Sequence, residues 1–169
     1  MNMTSNTYFT TILEEVYSLC GLKVSNLVQD KESKEYEASS FQLNALYVVA
    51  RKAKITPKKI GQFVTLWKRN TDGETAPYEE FDKADLFVIN AQEGPHIGQF
   101  VFPKAALMDK GIVSHNKKEG KRGFRVYPPW SQPTNKTAQS TQKWQLEYFL
   151  DIGQHLKTDL AKAKALYLL

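Results

Sequence analysis

Residues 84–111 read ADLFVINAQEGPHIGQFVFPKAALMDKG, and the fold turns on how they are read. ADLFVINA is a short apolar run rich in β-branched and aromatic residues, as a buried strand requires. QEGPH, with Gly94 and Pro95, breaks the run as a tight connection. IGQFVFP then resumes it, so the two runs predict an antiparallel hairpin. Pro103 suits a first helical position, KAALMD continues the helix, and Gly111 supplies its stop.

The pentapeptide IGQFV also occurs at Ile60, where Gln62, Val64 and Leu66 alternate with Phe63, Thr65 and Trp67 as in a strand. Two copies are too few for a repeat architecture, and the flanks do not match. The pentapeptide suits a strand entering a sheet after a turn that needs a permissive glycine. Further upstream, YEASSFQLNALYVVARKAKI predicts two strands meeting near Asn44–Ala45. VQDKESKE reads as a loop. Residues 8–20 place Ile12, Leu13, Val16, Tyr17, Leu19 and Cys20 at helical spacing, with Thr4 or Thr7 as cap and Gly21 as stop.

Downstream, HNKKEGKRG is a basic loop and FRVYPPW a short strand ended by prolines. A cap near Thr134 opens a predicted long helix carrying Ala138, Thr141, Trp144, Leu146, Tyr148 and Phe149 and stopping near Gly153. The tail HLKTDLAKAKALYLL predicts a further amphipathic helix. The order helix, five strands, short helix, strand, long helix gives one α+β domain over residues 1–169, a mostly antiparallel central sheet flanked by helices.

The 169 residues suffice for a core without disulfides or structural metal. No apolar run is long enough to span a membrane. MNMTSNTYFTTILEEV has neither a basic start nor a long apolar stretch, so no signal peptide is expected. The single cysteine, Cys20, sits on an apolar face and reads as core. These features predict a cytoplasmic protein. Net charge is +5, and residues 51–69 and 104–125 together hold 14 of the 23 basic residues but 2 of the 18 acids. Residues 1–50 instead carry six acids against three bases. Such segregation predicts a basic and an acidic face, although the same charges also suit a merely solvated surface.

RKAKITPKKIGQFVTLWKR, GQFVFPKAAL, GKRGFRVYPPW and TQKWQLEYF, in this order and spacing, resemble the MepB-like family of small bacterial proteins. One member is encoded beside a multidrug efflux pump and its repressor. The resemblance covers roughly residues 30–152. It implies no established enzymatic reaction, and its genomic setting suggests an accessory protein of a drug-resistance operon. The element order also resembles the core of restriction-endonuclease-like proteins, a fold-level analogy.

That analogy raises a divalent-metal nuclease, which needs clustered carboxylates around magnesium or manganese and an assisting lysine. The candidates are Asp82, Asp85, Gln99 and Lys104. The set is incomplete: Phe102 stands two residues before Lys104, and Gln99 offers only a neutral amide. His96, His115 and His155 lack metal-ligand spacing, and no nucleotide loop or nucleophile elbow is present. No metal or cofactor is expected on this reading.

Nucleic-acid binding draws on more of the sequence. RKAKITPKK holds five cations in nine residues and NKKEGKRGFR five in ten. Aromatics are interleaved, which suits phosphate contacts beside base stacking. The expected groove comprises Arg51, Lys54, Lys58, Lys59, Lys68, Arg69, Lys117, Lys118, Lys121, Arg122 and Arg125. Trp130 is a candidate stacking residue, whereas Trp144, on a helical face, reads as core.

Overall fold

The computed structural model describes residues 12–152 and 159–167. In chain order the strands are β1 (Val24–Gln29), β2 (Ser39–Leu43), β3 (Leu46–Lys52), β4 (Lys54–Ile55), β5 (Gln62–Thr65), β6 (Lys68–Arg69), β7 (Thr75–Ala76), β8 (Leu86–Glu93), β9 (His96–Pro103), β10 (Gly123–Val126) and β11 (Phe149–Asp151). The helices are α1 (Leu13–Ser18, wound as a π-helix), α2 (Lys104–Asp109), α3 (Lys136–Leu146) and α4 (Leu160–Tyr167). A six-stranded sheet runs β1-β2-β3-β8-β9-β11, a three-stranded sheet runs β10-β5-β4, and β6 pairs with β7. Only β3–β8 is parallel, so the main sheet is mostly antiparallel and the domain α+β.

The hairpin expected at residues 84–103 is the centre of this arrangement. Leu86 pairs with Pro103 and Glu93 with His96, an unbroken register. Side chains alternate between faces. Leu86, Val88, Ile97 and Val101 enter one core with Val16 and Tyr17 near the N-terminus and with Ala163 and Tyr167 of α4. Phe87, Ile89, Phe100 and Phe102 enter a second core with Leu107 of α2 and Val64, Phe124 and Val126 of the small sheet. Burial on both faces explains why ADLFVI reads as a continuous apolar run.

The short helix α2 starts one residue later than expected, because Pro103 is extended (φ −61°, ψ 147°) and ends β9. Its end matches the expectation. Gly111 (φ 71°) donates to Met108, and Ile112 donates to Leu107, the paired hydrogen bonds of a Schellman stop. The turn at Asn44–Ala45 and the strand over Gln62–Thr65 also fall where expected. Cys20 is buried. The proposed caps Thr4 and Thr7 and the stop at Gly153 lie outside the described residues.

Thr75–Ala76 pairs with Lys68–Arg69 and Lys34–Tyr36 forms a 3₁₀ turn, neither of which the sequence predicts, and two larger differences follow. Strand β1 is an edge strand with five of six residues exposed and a register break between Ser25 and Val28, so it carries no apolar alternation. The predicted long helix ends at Leu146. Phe149 and Leu150 instead form β11 on the edge of β9, opposite Phe100 and Gln99. Edge pairing satisfies their backbone while both side chains remain buried.

The two IGQFV copies share a construction. Each glycine seats an aromatic ring: a Cβ on Gly61 would lie 2.7 Å from the Tyr127 ring, and one on Gly98 would lie 2.1 Å from Phe149 Cζ. Gly61 also needs its positive φ of 80°, whereas Gly98 lies within a regular strand and is needed only for the close approach. Each glutamine is a buried amide that joins elements. Gln62 Nε2 donates to the Gln92 carbonyl, while Gln99 Nε2 donates to Asn90 Oδ1 and Gln99 Oε1 accepts from the Tyr167 hydroxyl. The repetition serves packing.

Replacing Gly98 by Ala should cost about 1–3 kcal/mol of stability through overpacking against Phe149, read as a lower midpoint in urea unfolding. Tyr17 gives a second expectation. Its hydroxyl lies 3.2 Å from that of Tyr167, and burial pushes its pKa up to about 12 from 10.0. A raised folded-state value means the unfolded chain releases this proton first. Stability should therefore fall between about pH 10 and 12, by on the order of 2–3 kcal/mol. Tyr17→Phe should flatten that alkaline loss in melting experiments.

Candidate nucleic-acid interface

The small sheet packs Gln62, Val64, Phe124 and Val126 inward, which leaves Phe63, Thr65, Gly123 and Arg125 half-buried on its other face. Register places Arg125 opposite Phe63 and Phe63 opposite Lys54, so one cross-strand row reads Arg125–Phe63–Lys54. Gly123 leaves room for the Phe63 ring, since a Cβ there would lie 2.7 Å from Phe63 Cζ. Tyr36 meets Phe63 edge-on at 6.4 Å, and Lys54 Nζ lies 4.9 Å from the Tyr36 ring centre. Helix α3 supports the sheet from behind. The Gln145 amide donates to Arg125 O and accepts from Tyr127 N.

At one end of this row the β4–β5 loop exposes Lys58 and Lys59. Arg125 fixes that loop by donating to Ile60 O and Thr56 Oγ1. Lys58, Lys59 and Arg125 line a cleft of about 420 Å³ that reaches Thr134 and Asn135 and contains no carboxylate. Asn135 caps α3 by accepting from Ala138 N.

The basic loop lies at the other end of β10, about 13 Å away over four residues. It is a tight turn rather than a loose excursion. His115 and Lys118 exchange both backbone hydrogen bonds around Asn116 (φ 50°) and Lys117 (φ 63°), a type I′ arrangement. Lys121 N donates to Ile112 O and Gly120 N to Ser114 Oγ, anchoring the return. Lys117, Lys118 and Lys121 are exposed and make no ion pair among the described residues. Arg122 is engaged, by Glu119 at 3.0 Å and Thr75 O at 3.0 Å.

The remaining cations of the expected groove are held by acids. Arg51 is 3% exposed, donates to Ala50 O, and lies 3.7 Å from Asp30, with its Nε buried and unpartnered. It is an internal residue and does not face solvent as the charge run suggests. Lys68 Nζ contacts Glu79 and Asp82, each at 2.7 Å. Partial burial acts to lower its pKa, yet hydrogen bonds to those carboxylates prevail and hold it above the usual lysine value. Arg69 forks onto Glu32 (Nη2–Oε1 2.7 Å, Nε–Oε2 3.1 Å) and lies over the Trp67 ring. Those hydrogen bonds hold the Glu32 carboxyl below its ordinary range. Trp130 stacks on His96 at 5.2 Å and meets Phe149 edge-on, with its Nε1 buried and unpartnered. Trp144 packs on Phe102, as a core residue should.

The four nuclease candidates do not converge. Asp85 Oδ2 accepts from Tyr47 N, and Asp82 accepts from Lys68 and Glu79 N. Lys104 Nζ donates to the Asp82 backbone carbonyl. Gln99 pairs across the hairpin with Asn90, five residues along from Asp85, about 16 Å by strand rise. Parity also puts Gln99 on the Tyr167 side of the sheet and Asp85 on the opposite side. Among the described residues no cluster of three or more histidine, cysteine or acidic side chains could hold a metal.

Sequence reasoning passed over Phe63 and Tyr36. Phe63 was legible as the outward phase of an alternating strand, but only register reveals that cations flank it. Tyr36 gave no signal, because its loop has no periodicity.

The MepB-like family profile matches residues 30–151. A crystal structure of MepB is similar over 93% of this chain and 100% of its own, at 35% sequence identity and a TM-score of 0.76. No curated protein is significantly similar.

A lysine with positive φ is strained in the type I′ turn, where glycine is preferred. Lys117→Gly should therefore raise stability by a few tenths to about 1 kcal/mol, seen as a higher melting temperature.

Proposed function

The chain belongs to the MepB-like family, and from that footing we propose that it binds nucleic acid along the outer face of its small sheet. The observation that carries this reading is the row Arg125–Phe63–Lys54, with the exposed Lys58 and Lys59 in the β4–β5 loop beside it and the exposed Lys117, Lys118 and Lys121 in the loop that leads into β10. Phosphate recognition needs cations that are exposed, spaced along a surface and not already neutralised. The six lysines meet that requirement, while Arg51, Lys68 and Arg69 are balanced by acids. An aromatic ring between two cations adds a surface for bases.

The binding needs no cofactor. On this reading the role is binding rather than catalysis, and Asp85 and Gln99 lie too far apart to share magnesium or manganese. Its proposed location is the cytoplasm. Among the described residues, no helix is long and apolar enough to cross a membrane.

Titration of labelled single- and double-stranded oligonucleotides across salt tests the proposal. If all six lysines meet phosphate, log K should fall against log salt with a slope of about −5 on duplex. Changing Lys117, Lys118 and Lys121 together to Ala should flatten that slope by about 2.7 and move the melting temperature little. Absence of binding at low salt, or a slope near zero, sinks the reading.

A further inference from the structure

Residues 30–37, DKESKEYE, join β1 to β2 and meet the small sheet where Tyr36 touches Phe63 and Lys54. The segment is closed on itself: Asp30 N donates to Ala38 O, and a 3₁₀ turn over Lys34–Tyr36 buries none of its residues. Ser33 (φ 54°) and Glu37 (φ 47°) bend it at either end of that turn. Its contacts with the rest of the molecule repeat the chemistry of a nucleotide. The Glu32 carboxylate accepts both arms of Arg69, whose guanidinium lies over Trp67. The Tyr36 ring stands against Phe63 and under the Lys54 ammonium. A phosphate fits the same guanidinium fork as a carboxylate, and a base fits the same aromatic surface.

Resting on the nucleic-acid reading above, we propose that residues 30–37 form an acidic strap that occupies part of the binding face in cis. Glu32 stands where a phosphate would sit on Arg69, and Tyr36 where a base would meet Phe63. The strap is held most loosely at Glu32. The Glu32–Arg69 pair is solvent-exposed and so screened by salt, whereas Asp30 pairs with the buried Arg51 and Tyr36 packs, half-buried, against the second core. A polyanion that already engages the six lysines can displace it, adding Arg69, Trp67 and the open Phe63 ring to the contact surface.

The experiment compares the full chain with Glu32→Gln and Glu35→Gln, which remove the same charge from the same segment. Glu35 is exposed and makes no ion pair among the described residues. Glu32→Gln should bind a labelled oligonucleotide severalfold more tightly at low salt. Its salt slope should steepen by about 0.7 to 0.9 as Arg69 gains a phosphate. Glu35→Gln should leave the slope unchanged. Adding Arg69→Gln to Glu32→Gln should return the slope to the wild-type value. Equal gains in the two single variants, or a gain that survives Arg69→Gln, would overturn the strap. Loss of all binding by the wild-type chain would instead overturn the nucleic-acid reading, so the two failures are distinguishable. Melting curves on each variant verify the fold, and Glu32→Ala serves as a second release variant.

Discussion

The β8–β9 hairpin is buried on both faces, and a hairpin so buried has to be covered on both sides by something else in a chain of modest length. One face takes the segment around Val16 and Tyr17 together with α4; the other takes α2, α3 and the small sheet. The parallel pairing of β3 with β8 follows from the same demand, because β3 also buries both faces and needs a partner similarly covered. The small sheet is thus held with its apolar side inward, leaving Phe63 and its flanking cations outward. The proposed function depends on this division of inner from outer residues.

Much of the architecture was legible where periodicity was strong. The hairpin at 84–103, the turn at Asn44–Ala45, the stop at Gly111 and the alternation along Gln62–Trp67 follow from local chemistry. Strand β1 was not legible because an edge strand exposes nearly all its side chains and so lacks a pattern. Strand β11 was misread because Tyr148, Phe149 and Leu150 prolong a helical spacing. What ends the helix is a vacant edge on β9, a tertiary fact no local window contains.

The site was legible in composition but not in pairing. Counting cations groups Arg51, Lys68 and Arg69 with Lys58 and Lys117, yet the first three meet carboxylates from distant parts of the chain. Asp30 and Glu32 approach from the β1–β2 connection, and Glu79 and Asp82 from the stretch before β8. Linear segregation of charge suggests a basic and an acidic face. Folding instead lays part of the acidic segment against part of the basic one, so the electropositive surface is smaller and more local than the sequence implies.

The hydroxyl contact between Tyr17 and Tyr167, backed by Gln99, joins positions 150 residues apart. Its consequence concerns the order of events during synthesis. A ribosome that has delivered the whole β8–β9 hairpin has still not delivered the helix that covers one side of it. The Gln99 amide oxygen, destined for Tyr167, is then still served by water, and the apolar side chains around it have no roof. The nascent domain cannot seal its first core until translation has passed Tyr167. Throughout that interval one face of the most apolar strands lacks its native cover, the kind of exposed surface from which aggregation starts.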